Sequence, residues 1–397
     1  MGLKDAFIVG AADTKIGKQP DKTAMQLYGE AVRAALADAG LKKEDVDLVY
    51  TGLPHSAPVL CFPPVFCEIM GLKPAFCSSM EAGGASPVQM VLTAAAAIAA
   101  GQGEVALCVF GDKTATTDPV RGAYAWMRPE EGKQSSGGIT TGPTMEFEAP
   151  YGTFIATIAF AMLAQRYMSR YNIKPEQMAG PSMSARAFGA INPEAQMHSK
   201  GALTHDQYMA GRLISTPLRV MDCSLVSDGA AAVIVTSRGV AEGTRKKPIR
   251  VIGGGGETTH WNVSQTPDIQ DMAARKSAER AYKSTGLGPK DIQVFNPYDC
   301  FSITVMLQLE LMGFCGEGEG AAYAMSGAIG LGGKIPVNPH GGMLAHGHLA
   351  GMNHVTEMVK QLRGECGPRQ VKDAKIGMVT GNGGYMSDHT TMLLGGD

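Results

Sequence analysis

The chain has 397 residues, 44% of them apolar and 18% charged, and a formal net charge of −2 at neutral pH. That balance is ordinary for a soluble globular enzyme, and with no long basic or acidic run it excludes a charge-driven nucleic-acid surface. The length suits two or three domain-sized units, or a pair of similar halves, with a core that needs no disulfide staples.

The opening residues, MGLKDAFIVGAAD, carry no charged segment followed by a long apolar stretch and a cleavage site. No secretory signal is read from them, and a cytoplasmic location is expected. From Ala31 the chain reads AVRAALADAGLKKEDVDLVY: a helix, a glycine stop at Gly40, an acidic turn and a buried strand. Gly83-Gly84-Ala85-Ser86 then forms a small-residue turn into a helix over Pro87–Ala100, followed by a strand over Glu104–Phe110. Val88–Ala100 is the best apolar window, but Gln89 and Thr93 interrupt it and it is too short to span a bilayer, so no membrane insertion is expected. The alanines at Ala94–Ala97 and Ala99–Ala100 suit a helix pressed between two sheets, where only small side chains fit.

The segment from Thr114 to Gly211 is less regular. Its run Arg128–Gly142 is rich in Gly, Ser, Thr and charge, which fits a lid and an ordinary surface excursion about equally. A helical pattern follows over Phe154–Tyr171. Gly253–Gly256, in GGGGETTH, lacks the GxGxxG spacing of a dinucleotide loop and reads as a strand-to-loop junction. From Ser277 the sequence SAERAYKSTGLGPKDIQVFN repeats the first pattern, pairing Gly40 with Gly286 and Asp45 with Asp291. The second copy continues through Gly341-Gly342 and Gly347–Gly351 to a helix ending near Leu362 and a strand over Ile376–Thr380. The expected organisation is an α/β chain with one half in 1–113 and 212–245, an inserted region in 114–211, and the other half in 246–397.

The eight cysteines form no CxxC pair, so they read as reduced, mostly packing thiols. His340, His346, His348 and His354 lie close together, but glycine turns separate them and no HExxH or Cys/His ligand spacing occurs. No metal site and no bound cofactor are expected.

The duplicated halves, PLRVMDCSLVSDGAAAVIVTS (217–237), NPYDCFS (296–302), NPHGG…GHLAG (338–351) and the GNGG run (381–384) together resemble the thiolase superfamily over essentially the whole chain. The branch they resemble is that of the sterol-carrier-protein-type thiolases and their lipid-transfer-protein relatives. The resemblance implies a five-layered αβαβα thiolase fold of two similar halves, with a loop domain inserted in the first. It also implies a homodimer, a coenzyme A thioester as substrate, and in some members a small partner subunit with an OB-fold and a zinc ribbon. Family thiolases place a cysteine nucleophile at the N-terminus of the first central helix, where the helix dipole and backbone N–H groups stabilise a thiolate. Counting back from Ile98 and Gly101 puts Gly84 at that position, and the nearest thiol, Cys77, lies seven residues upstream. The branch's HDCF motif reads Tyr298-Asp299-Cys300-Phe301 here, so tyrosine replaces histidine. The GHPxG histidine is kept as His348, and no cysteine stands near Thr380 or Gly381, where the family's second thiol belongs.

Without either thiol the resemblance points to chemistry with no covalent intermediate. Tyr298 and His348 are the candidate proton carriers, and the backbone N–H groups of Gly84, Gly383 and Gly384 the candidate oxyanion hole. Asp299 and Cys300 are placed as orienting and packing groups, and Tyr385 as a candidate second phenol. This set resembles the cysteine-less thiolase-like aldolases of steroid side-chain degradation, which carry a second tyrosine near the position of His348. Retro-aldol cleavage of a β-hydroxyacyl-CoA is the favoured expectation. A thiolase or Claisen acyltransferase with a displaced nucleophile, and a non-catalytic acyl-CoA or lipid carrier, stay open beside it.

Overall fold

The computed structural model describes residues 5–117, 147–153, 155–266 and 268–396. The Arg128–Gly142 run, read as a lid or a surface excursion, and Phe154 lie outside these residues.

In chain order the first half contributes β1 (Ala6–Asp13), α1 (Ala24–Ala39), β2 (Leu48–Thr51), α2 (Phe62–Met70), β3 (Phe76–Ser79), α3 (Ser86–Ala99) and β4 (Val105–Lys113). Between β4 and β7 lie α4 (Ala156–Tyr171), α5 (Gly180–Ile191), α6 (His205–Met209) and the short strands β5 (Leu213–Ser215) and β6 (Leu218–Arg219). Then come β7 (Asp228–Ser237), α7 (Arg238–Ala241), β8 (Ile249–Thr258), α8 (Ala273–Thr285), β9 (Val294–Asn296), α9 (Ser302–Leu311) and α10 (Gly320–Met325). The chain ends with α11 (Gly342–Ala345), α12 (Met352–Arg363), β10 (Ile376–Gly383) and β11 (Asp388–Gly395).

The repeat is structural as well as textual. Gly40 and Gly286 both cap their helices in the left-handed conformation, at φ 73° and 74°, where a side chain on Cβ would be strained. Asp45 and Asp291 both close the turn that follows, accepting from the Lys42 N–H at 2.7 Å and the Gly288 N–H at 2.8 Å. α1 is started by a capping box, in which Thr23 Oγ1 accepts from Gln26 N–H and the Gln26 side chain accepts from Thr23 N–H.

Strand order is β3-β2-β4-β7-β1-β8-β11-β10-β9. The second half mirrors the first, with β8, β9, β10 and β11 in the places of β1, β2, β4 and β7. The halves join where Phe7 and Ile8 pair with Arg250 and Ile249. Alternation along each strand then sorts the side chains into layers. Leu107 and Val109 of β4 pack outward with α1 and α2, while Ala106, Cys108 and Phe110 pack inward with α3 and α12. Met378 and Leu393 of the other half pack outward with α8 and α9, and Val379 and Met392 inward onto the same central helices. α3 and α12 each contact strands of both halves. The result is five layers, αβαβα, with α3 and α12 in the middle; of the alanine run, Ala94, Ala95 and Ala97 are buried, while Ala96 and Ala100 are exposed.

One sequence reading needs correction. Gly253–Gly256 is no loop junction but the interior of β8. A Cβ on Gly255 would strike the α8 backbone at Ser277 and Ala281, and one on Gly254 would strike Thr391 O and Leu92. The glycines are there so that helices can close on both faces of the strand, which in sequence looks like loss of strand propensity.

Candidate active site

The ends of β9 and β10, the N-terminus of α3 and the loop between α11 and α12 meet at one point. Tyr298 sits in the turn after β9, and its main chain is fixed on three sides. Its N–H donates to Thr380 Oγ1 at 3.1 Å, and its carbonyl accepts from Thr304 Oγ1 and Gln308 Nε2, each at 2.9 Å. Thr380 Oγ1 in turn donates to Gln308 Oε1 at 2.6 Å, and His389 Nε2 lies 3.2 Å from the same oxygen. With its backbone held, the ring projects into the central layer, and Tyr298 Oη lies 3.0 Å from His348 Nε2. His348 is placed from behind: its N–H donates to Ser227 Oγ at 3.0 Å, which also accepts from Gln196 Nε2 at 2.6 Å.

Burial sets the protonation of this pair. Tyr298 is 6% exposed, and desolvation, aided by the neighbouring Cys300 and Asp299, pushes its phenol well above its ordinary range. His348 is pulled down to about 4, chiefly by desolvation, although Asp299 acts in the opposite direction. Both groups are therefore neutral at physiological pH, a hydroxyl facing an imidazole.

At Gly84, the position that the resemblance assigns to a thiolase's cysteine, the space a side chain would need is taken. A Cβ on Gly84 would lie closer than 3.0 Å to Cζ, Cε2 and Oη of Tyr298. Phenol and glycine are complementary: the tyrosine fills the space a Cys side chain would occupy. The turn bearing Gly84 is locked by Ser86 Oγ, which accepts from Ala82 N–H at 2.9 Å and donates to Gly83 O at 2.8 Å. Ala85 N–H and Ser86 N–H go to the carbonyls of Ala82 and Gly83, and Pro87 has no N–H.

The Gly383-Gly384 turn of the other half interlocks with this one. A Cβ on Gly83 would lie 3.3 Å from Gly383 Cα and 3.8 Å from Gly384 N, and one on Gly381 would strike Ala85. Trp261, in the segment after β8, lies across the seam, and 52% of it is exposed.

The other residues named from sequence fall into place differently. Asp299 accepts from Met343 N–H at 2.9 Å and lies 2.8 Å from His354 Nε2, so it holds the α11 turn and orients a buried histidine. The Cys300 thiol is raised well above its ordinary range by burial, and its carbonyl accepts from Ser224 N–H. Tyr385 does not join the pair. Its ring packs edge-on against Phe160 at 5.7 Å in the outer layer beside α9, with no hydrogen bond or ring contact to Tyr298 or His348 among the described residues. Cys77 lies on β3, beside the Cys67 thiol and packed toward the outer layer of α1 and α2, away from the Gly84 turn. His340 packs edge-to-face on His346 at 5.1 Å and on His354 at 4.8 Å. Among the described residues no group of His, Cys, Asp or Glu is arranged to hold a metal ion.

Thr380, Gln308, Ser227, Gln196 and Trp261 escaped the sequence reading. A signal existed for one of them: Thr304 and Gln308 form a polar i, i+4 pair in a largely apolar helix that is buried from Ser302 to Leu311.

The family model described as thiolase, N-terminal domain, matches residues 6–239, and the thiolase C-terminal domain-like model matches residues 255–396. The chain belongs to the thiolase family. Its relatives divide in chemistry. An acetyl-CoA acetyltransferase of Methanothermobacter thermautotrophicus is 32% identical, with 98% of this chain and 99% of that protein covered. A 17-hydroxy-3-oxo-4-pregnene-20-carboxyl-CoA lyase of Mycobacterium tuberculosis is 31% identical over 90% of this chain and 92% of that one. A steroid side-chain-cleaving aldolase of Thermomonospora curvata is 30% identical over 99% and 98%. Among solved structures, an Ltp2-ChsH2(DUF35) aldolase superposes with a TM-score of 0.86 at 28% identity, covering 99% of this thiolase-fold chain and 98% of its own. No helix among the described residues is long and apolar enough to cross a membrane.

Proposed function

We propose that this thiolase-family chain is an acyl-CoA carbon–carbon lyase that cleaves a β-hydroxyacyl-CoA by a retro-aldol reaction. The observation that carries the reading is the mutual exclusion at Gly84: the Tyr298 phenol occupies the nucleophile's space and is hydrogen-bonded to His348.

In this mechanism the substrate hydroxyl gives its proton to Tyr298 Oη as the phenol's own proton passes to His348 Nε2, with Nδ1 already protonated. The high phenol pKa rules out a standing phenolate, so the two transfers are coupled. The Cα–Cβ bond breaks, the β-carbon leaves as a ketone or aldehyde, and the electron pair becomes the thioester enolate. Backbone N–H groups of Gly84 and of the Gly383-Gly384 turn receive the enolate oxygen. The imidazolium formed is a strong acid because the site is dry, and it returns the proton through Tyr298 to Cα. Atoms balance: one β-hydroxyacyl-CoA gives one carbonyl compound and one shorter acyl-CoA, with no free coenzyme A consumed. Asp299 and Cys300 support this arrangement without exchanging protons, and Tyr385 packs beside it.

A thiolase route with a displaced cysteine finds less support, because Cys77 faces the outer layer and the Cys300 thiol is held protonated. Intact-protein mass spectrometry after mixing with acyl-CoA separates the two: the retro-aldol reading expects no acyl adduct, and an acylated enzyme refutes it. A homodimer, and a small OB-fold and zinc-ribbon subunit, belong to the same proposal, the latter supported by a structural neighbour whose own name is that of a two-component aldolase. Co-purification and mass photometry of the co-expressed pair test both.

A further inference from the structure

Behind Tyr298 lies a run of hydrogen bonds that the proposed chemistry leaves unused. Gln308 of α9, Thr380 of β10, His389 and Thr391 of β11 and Ser277 of α8 are all fully buried, so their polar atoms have to find partners inside the protein. Gln308 Nε2 lies 2.9 Å from the Tyr298 carbonyl and 3.0 Å from that of Thr304. Carbonyls only accept, so the amide nitrogen has to face them. Its oxygen then points the other way, toward Thr380 Oγ1 at 2.6 Å and His389 Nε2 at 3.2 Å.

That orientation fixes the protons of everything behind it. Burial keeps the His389 ring neutral, pulling it down to about 3. Gln308 Oε1 cannot donate, so His389 Nε2 carries the ring's one hydrogen and Nδ1 is bare. The other tautomer would set two buried acceptors against each other. The bare Nδ1 lies 2.6 Å from Ser277 Oγ, which therefore donates to it, and Thr391 Oγ1, 2.8 Å from the same hydroxyl, donates to Ser277. The bonds thus run one way, from Thr391 to Ser277, His389, Gln308 and the Tyr298 carbonyl. Thr380 closes the loop, because it donates to Gln308 and accepts the Tyr298 N–H at 3.1 Å.

We propose that His389 is a positioning residue for the lyase reaction: as its Nε2–H tautomer it holds the Gln308 amide, and through it the Tyr298 turn, so that the phenol keeps its 3.0 Å contact with His348. His389 has this role on the reading that Tyr298 and His348 move the proton, and it acts through Gln308 rather than on the substrate. A neutral imidazole suits the place because it donates on one side and accepts on the other. Without the Nε2–H, Gln308 Oε1 keeps Thr380 alone, and any tilt of the amide passes to the Tyr298 peptide. Misplacing a reacting group by about 1 Å costs about 10²-fold in rate.

Two variants separate this role from mere packing. The amide of His389→Gln reaches as far as Nε2 and can donate to Gln308, whereas that of His389→Asn reaches only as far as Nδ1 and serves Ser277. His389→Asn should lower kcat about 10–100-fold with KM nearly unchanged, and His389→Gln should recover most of that loss. Urea denaturation establishes that both variants are folded under assay conditions. A second readout needs no turnover and no variant: nitrogen NMR of the native chain labelled at its histidine rings, with His389 and His348 assigned through the backbone. His389 should carry its hydrogen on Nε2. In the variants, the His348 ring signal should shift in His389→Asn and return toward its native place in His389→Gln. Equal kcat in the two folded variants, or an Nδ1–H tautomer at His389 in the native chain, would overturn the proposal. If the tautomer and the His348 signal behave as expected but the native chain cleaves no β-hydroxyacyl-CoA, the lyase reading fails and the hold of His389 on the Tyr298 turn stands.

Discussion

The fit between Gly84 and Tyr298 makes Gly84→Ala the most informative single change. The added methyl would fall within 3.0 Å of three atoms of the phenol, and ordinary contact begins near 3.4 Å, so the ring has to withdraw by about 1 Å or more. Moving Oη that far turns its 3.0 Å bond to His348 into a gap too long for a hydrogen bond. Overpacking of this kind costs about 1–3 kcal/mol of stability, and an unpaired buried hydroxyl adds about 1–3 kcal/mol. Loss of a positioned acid–base partner should reduce kcat by about 10²–10⁴-fold. Urea denaturation and product-release kinetics would be measured on Gly84→Ala, Tyr298→Ala and the double variant. Because the clash needs both partners, the stability cost of Gly84→Ala should largely vanish in the Tyr298→Ala background. An undiminished cost in that background, or a Gly84→Ala enzyme with native kcat, would refute the steric argument.

Tyr298→Phe keeps the ring and removes only the hydroxyl, so kcat should fall about 10²–10⁴-fold in stopped-flow assays, with a stability loss of about 1–3 kcal/mol from the unpaired His348 Nε2. Gln308→Leu removes one of the two donors to the Tyr298 carbonyl and the acceptor of the Thr380 hydroxyl proton. It should lower kcat up to about 10²-fold with KM nearly unchanged, which steady-state kinetics will show. His346 and His348 are pulled down to about 4, and His389 to about 3, in each case chiefly by burial. They are neutral when folded and charge more readily when unfolded, so the stability they protect is complete above about pH 6.5 and is lost as pH falls toward 4. Urea-derived unfolding free energies should be nearly level from pH 7.5 to about 6.5 and then decline toward pH 4.5 by up to about 1.4 kcal/mol per pH unit for each such histidine, and a flat profile below pH 6.5 would contradict their burial as neutral rings.

The fold was legible because its punctuation repeats. A helix stop at Gly40 and Gly286 followed by a turn closed by Asp45 and Asp291 marks the same unit twice, and each local signal agrees with the architecture it serves. Gly253–Gly256 misled for a physical reason: a strand that admits helices on both faces needs small residues, and composition alone cannot tell that from a loop. Tyr298 and His348 could be named from motif order, yet their 3.0 Å contact belongs to the fold. The clash between a Gly84 side chain and Tyr298 joins positions 84 and 298, and no local pattern encodes it. Trp261 was invisible for a similar reason, since what distinguishes it is exposure beside two turns drawn from different halves. Tyr385 shows the converse: sequence proximity to the glycine turn suggested a second phenol, and the turn between β10 and β11 that carries it packs its ring on Phe160.

The most direct test of the central claim is a product assay by mass spectrometry. The purified chain, alone and with a co-expressed OB-fold partner, would receive matched β-hydroxyacyl-CoA and β-ketoacyl-CoA, each with and without free coenzyme A. The account predicts that the β-hydroxy substrate yields a shorter acyl-CoA and a ketone or aldehyde with no free coenzyme A added. Cleavage of the β-keto substrate alone, and only when free coenzyme A is present, would contradict it and establish a thiolase with an unconventional nucleophile.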